Sequence, residues 1–124
     1  MPKVKYVLMF VDTEEYEKEI AAMSPPEVAE VHRRVRQWFA DHADKIRATT
    51  GKLQGARAAT TVRLDGGRIF ATDGPFMEGK EVISGFTEIE VEDLDEALRM
   101  VRTWPACPLI EIRPVEVEIR PMEP

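Results

Sequence analysis

Six consecutive apolar residues, Tyr6-Val7-Leu8-Met9-Phe10-Val11, follow a start that alternates Lys3 and Lys5 with Val4. A strand that begins by alternating and then turns apolar on both sides starts at an edge and runs into an environment covered on both faces. Any fold for this chain must therefore bury two sides of one strand. The run is far too short to span a bilayer, and Met1 to Lys5 shows no cleavage-site pattern, so no signal peptide is expected.

The rest of the chain supplies what could cover that strand. Ser24, Pro25, Pro26 and Glu27 form a capping-box start. Val28, Val31, Val35, Trp38 and Phe39 follow at helical spacing, which predicts an amphipathic helix from Pro25 to about Ala43. Glu14 to Met23 is charged and short, room for one or two helical turns. Ile46 to Leu53 favours strand through Thr49 and Thr50, and Ala58 to Leu64 reads as strand. Asp65-Gly66-Gly67 is a hairpin turn whose residues tolerate positive φ. Arg68 to Thr72 returns, and Val82 to Val91 forms a longer strand in which Gly85 marks a bulge or a close backbone approach. Asp93 or Asp95 caps a further helix bearing Leu94, Ala97, Leu98 and Val101. Trp104-Pro105 ends that helix, with the indole expected as a core plug. Leu109 to Ile119 alternates as a half-exposed strand, and Pro114 confines it to an edge. The tail Pro121 to Pro124 is expected to fray.

This order predicts an α+β fold in one domain, residues 1–124: a ferredoxin-like antiparallel sheet with two helices on one face and an inserted hairpin. The uncovered face, with its continuous apolar run, predicts a homodimer. A length of 124 residues suffices for one core without staples. Seventeen basic against twenty-three acidic residues, a net charge of −6, argue against nucleic acid as a partner. One cysteine, Cys107, allows no internal disulfide and fits a reducing, cytoplasmic setting. With two histidines ten residues apart, no zinc spacing is present. No metal, cofactor or membrane is expected.

The remaining feature is Thr72-Asp73-Gly74-Pro75-Phe76-Met77-Glu78-Gly79-Lys80-Glu81, where Gly-Pro takes the chain out of the sheet. It reads either as plain turn chemistry or as a binding loop, since loops on a rigid scaffold carry function. His32 borders the apolar stripe of its helix, either as a surface histidine or as a working one whose tautomer a partner sets.

Those residues carry a resemblance. Asp73-Gly74-Pro75-Phe76 with Glu78, Lys80 and Glu81 resembles the signature of the DGPF (DGPFAETKE) family of YCII-related proteins. Ser24-Pro25, Ala59-Thr60-Thr61-Val62-Arg63, Asp93-Leu94-Asp95-Glu96-Ala97 and Glu111-Ile112-Arg113-Pro114-Val115 are similar to it as well, so the likeness covers nearly the whole chain. The resemblance implies a dimeric α+β barrel of two ferredoxin-like sheets and no settled activity. Gene neighbourhoods with extracytoplasmic-function sigma factors imply a regulatory setting for some members. The broader group's His and Asp at a shared cleft imply Asp73 and His32 as a catalytic pair. Gly74, Pro75, Phe76, Glu78, Lys80 and Glu81 are then the ligand-binding loop. Met77 stands where the signature has alanine and Gly79 where it has threonine, which narrows any pocket there and removes a hydroxyl.

Three functions follow. A cofactor-free enzyme would use the His32/Asp73 pair on a small organic substrate. A binding module would hold a small molecule without turnover. An interaction protein would use the charged loop against a partner. No activated nucleophile or phosphate loop is present, and Cys107 reads as an inert buried thiol.

Overall fold

The computed structural model describes residues 2–76 and 79–119. Met77 and Glu78, and the tail Pro121 to Pro124, lie outside the described residues. Strand β1 (Val4–Thr13) leads into helices α1 (Glu14–Ala21) and α2 (Pro25–Asp41), then β2 (Ile46–Thr49). A short 3-10 turn (Ala56–Ala58), the pair β3 (Thr60–Asp65) and β4 (Arg68–Asp73), β5 (Glu81–Val91), α3 (Leu94–Val101) and β6 (Leu109–Pro114) complete the chain.

Four strands form an antiparallel sheet in the order β2-β5-β1-β6, and β3-β4 stand apart as a two-stranded hairpin. Leaving out the hairpin, the order is that of a ferredoxin-like α+β sheet. Gly66 (φ 56) and Gly67 (φ 81) close the hairpin in the left-handed conformations that a Cβ would oppose.

Even-numbered positions of β1 face the helices. Leu8 and Phe10 are buried with Ile89 and Val91 of β5, Trp38 of α2, Ala97 and Met100 of α3, and Cys107. Ile110 and Ile112 of β6 pack on this cluster, paired in register with Phe10 and Leu8. Trp38 anchors α2 by donating its indole N–H to the Met100 carbonyl at 3.1 Å. Trp104 stacks on Phe10 with ring centroids 4.2 Å apart, the plug expected of it.

The odd positions of β1 explain the unbroken apolar run. Val7, Met9 and Val11 lie on the opposite sheet face, with Phe86 of β5 beside Met9 and Leu109 of β6 beside Val11. Phe86 is 46% exposed, and among the described residues no helix covers this side.

Several local expectations change. Three helices form instead of two, because Thr13 accepts the Tyr16 N–H at 3.1 Å and so starts α1 directly off β1. Helix α2 ends at Asp41, where His42 becomes the C-cap and its Nδ1 meets the Trp38 carbonyl at 2.8 Å. Asp93 is the cap of α3, accepting from the Glu96 N–H. Its buried face is Ala97 and Met100, whereas Leu94 and Leu98 are exposed. The last strand stops at Pro114, on the sheet edge where a missing N–H leaves no ladder partner unsatisfied.

Candidate functional site

Between the first two helices and the far end of the sheet lies a cavity of about 480 Å³. That is within the range of roughly 300–1,000 Å³ typical of small-molecule sites. Its origin is local. The C-terminal end of α2 is held down by Trp38 and Phe39, while Val28, Val31, His32 and Val35 before it reach the cavity wall without filling it. Opposite, Gly51, Gly55 and Gly85 add no side chains.

Gly85 also sets the position of the facing segment. A Cβ there would come 3.2 Å from Thr50 Oγ1 and 3.4 Å from the Gly51 carbonyl, so only glycine lets residues 50–53 lie this close. The Thr50 N–H donates to the Phe86 carbonyl at 3.0 Å and the Leu53 N–H to the Ser84 carbonyl at 2.8 Å. Backbone pairing therefore continues past the end of β2 and fixes Lys52 on the cavity wall.

Lys52 Nζ donates to Asp12 Oδ2 at 2.7 Å. Asp12 is buried, in phase with Leu8 and Phe10 on the inward side of β1. A carboxylate at an inward strand position is costly unless paired, and Lys52 supplies the pair. Tyr16, one turn into α1, also lines the cavity, and among the described residues its hydroxyl makes no hydrogen bond. Burial first, then the nearby Cys107, Asp12 and Glu19, push its pKa up to about 12, so it is a neutral donor at physiological pH.

Cys107 completes this corner. Burial is the main cause that pushes its thiol up, only partly offset by the nearby Trp104 indole. Trp104 Nε1 is shielded from solvent and has no hydrogen-bond partner among the described residues. A thiol held protonated is not an activated nucleophile. The cavity's small hydroxyls are engaged with backbone: Ser84 Oγ donates to the Phe10 carbonyl at 3.3 Å, and Thr50 Oγ1 accepts the Phe86 N–H at 3.0 Å.

The sequence-expected residues divide. His32 lines the cavity at an exposed position on α2. Asp73 is exposed at the end of β4, opposite Thr60, and does not line the cavity. Among the described residues no hydrogen bond or ion pair joins the two. Gly74 (φ 96) is held by the hairpin, its N–H donating to the Ala59 carbonyl at 2.7 Å and its carbonyl accepting from Thr61 Oγ1 at 2.6 Å. Pro75 follows it; Phe76 is exposed, as are Lys80 and Glu81, and none of these lines the cavity. Glu78 falls outside the described residues. Asp12, Tyr16 and Lys52 are what sequence reasoning missed. The usable signal was Asp12, a carboxylate in step with inward-facing Leu8 and Phe10.

Comparison with known proteins places this architecture. The chain is 38% identical over 68 residues to an uncharacterized protein of Rhizobium meliloti (strain 1021), a match covering 52% of this chain and 55% of that one. The chain thus spans about half the length of the curated relative it matches. The sequence profile of the YCII-related domain matches residues 4–119, and the chain belongs to that family.

Proposed function

We propose that the chain binds a small, largely apolar organic molecule in the cavity between α1, α2 and the sheet. The observation that carries this reading is the Asp12–Lys52 pair set into an otherwise mostly apolar wall. A concave apolar site with a few convergent polar groups is the arrangement that orients a small ligand. The wall's ionic groups define the ligand further. Asp12 and Glu17 face one ammonium, Lys52, so the wall does not favour a strongly anionic molecule such as a phosphate ester. A neutral compound with one carbonyl or hydroxyl fits best.

The test is thermal stabilisation by a panel of neutral aryl and alkyl ketones, alcohols and lactones. Wild-type protein should gain stability with rising concentration of a binder. Val31→Phe should lose that response while keeping its own stability, because the larger side chain enters open space instead of an already packed core. Equal responses in both proteins would remove the cavity as the site.

The proposal includes a homodimer formed through the outer sheet face. The support is the apolar row of half-buried Met9 and Val11 beside exposed Phe86 and Leu109, a side a monomer leaves partly wet. Met9→Glu should shift a dimer to monomer in sedimentation. A wild-type monomer at high concentration would refute it. An acid–base role for His32 with Asp73 belongs to this dimer, as a pairing across the two subunits; His32→Ala and Asp73→Asn should then weaken ligand response together.

A further inference from the structure

Asp12, Tyr16 and Lys52 form a second constellation on the cavity wall, distinct from the His32/Asp73 pair. Asp12 is a buried carboxylate, able to accept a proton. Lys52 uses one N–H on Asp12 at 2.7 Å, and an ammonium has three, so two remain to donate. The Tyr16 hydroxyl makes no hydrogen bond among the described residues, and Tyr16 lines the same cavity as Asp12 and Lys52. One base and two donors thus face one apolar space. Acyl transfer has no candidate nucleophile here: the Cys107 thiol is kept protonated, and Ser84 and Thr50 are bound to backbone.

We propose that this corner catalyses proton transfer at a carbon next to a carbonyl in small neutral ketones, with Asp12 as the base and Tyr16 and Lys52 as donors to the carbonyl oxygen. The inference rests on the cavity being the ligand site. Asp12 removes the α-proton; the C–H electron pair becomes the C=C bond of the enolate, and the C=O pair moves onto oxygen. That oxygen accepts hydrogen bonds from Tyr16 and Lys52. Protonated Asp12 exchanges its acidic hydrogen with solvent through the open cavity and then delivers a proton, or in D2O a deuteron, to the same carbon or, in an unsaturated ketone, to one further along the chain. No co-reactant is consumed. Preorganised donors aimed at a developing oxyanion in a site walled by apolar side chains are the largest single source of rate in such chemistry.

The experiment follows α-deuteration of 2-tetralone and phenylacetone in weakly buffered D2O by proton NMR, with thermal shift measured on the same samples. Wild-type protein should accelerate exchange over buffer, and Arg99→Gln on the exposed side of α3 should match it. Asp12→Asn should reduce the rate by about 100-fold or more, the scale of a lost general base. Tyr16→Phe should reduce it by about 100-fold, as for one oxyanion donor, while both variants still bind the ketones. Binding without exchange above buffer would overturn this inference and leave the binding reading standing. Exchange that survives Asp12→Asn would overturn the assignment of the base. No thermal shift with either ketone would bring down both readings for this ligand class.

Discussion

The Asp12–Lys52 pair should respond very unequally to removal of its two ends. The side chain of Asp12 is 10% exposed and that of Lys52 is 66% exposed, with 2.7 Å between Nζ and Oδ2. Lys52→Met leaves a carboxylate in the cavity wall without its only hydrogen-bond partner among the described residues. Breaking a fully buried pair costs about 3–5 kcal/mol; with one end in water and the cavity open to solvent, about 2 kcal/mol is expected. Asp12→Asn leaves an ammonium that water already solvates and an amide oxygen it can still meet. That change should cost about 1 kcal/mol or less, as for a surface pair. The double variant removes the stranded charge and should be no less stable than Lys52→Met alone. The coupling between the sites is then favourable by about 1 kcal/mol. Urea unfolding followed by tryptophan fluorescence, with a common slope for all four proteins, measures these differences. Equal costs for the two single variants, or a larger cost for Asp12→Asn, would refute the view that Asp12 is the buried end and depends on Lys52.

Other outcomes are also expected. Tyr16, with its pKa pushed up to about 12 from 10.0, stabilises the fold fully below pH 10, and that contribution is lost as pH rises from 10 toward 12; a late phenolate absorbance step should vanish in Tyr16→Phe. Ser24 accepts the Glu27 N–H at 3.4 Å while Glu27 accepts the Ser24 N–H at 3.1 Å, so Ser24→Ala should cost about 1 kcal/mol in urea unfolding. Gly85→Ala would place a Cβ 3.2 Å from Thr50 Oγ1, and the strain should cost about 1 kcal/mol and displace Lys52, weakening ligand response in the same thermal assay.

What could be read from the sequence was whatever is decided within a few residues. The Ser24–Glu27 box, the Gly66-Gly67 turn and the alternation of β6 each depend on near neighbours; the first two form as expected, and β6 alternates over Leu109–Pro114 but stops short of Ile119. The facing of α3 was legible only in part. Leu94, Ala97, Leu98 and Val101 share a helical spacing, yet the buried pair is Ala97 and Met100, because spacing does not say which side of a stripe meets the sheet. The Thr72–Glu81 loop drew attention by composition, but burial follows tertiary placement, and its described residues stay outside the cavity. The site itself joins β1, α1, the segment after β2 and the stretch before β6. Asp12, Tyr16, Lys52 and Cys107 have no common spacing; the sequence marks Cys107 as a buried thiol, and the inward phase of Asp12 on β1 is a signal that the reading of that strand does not use.

The most direct test of the central claim is a methyl-resolved carbon–proton NMR titration of the protein with 2-tetralone. Shift changes confined to Ile20, Val28, Val31, Val35 and Ala106, abolished by Val31→Phe, are what a ligand in the cavity produces. Changes instead at Val7, Met9 and Val11 on the outer sheet face, with the α1 and α2 methyls silent, would contradict it.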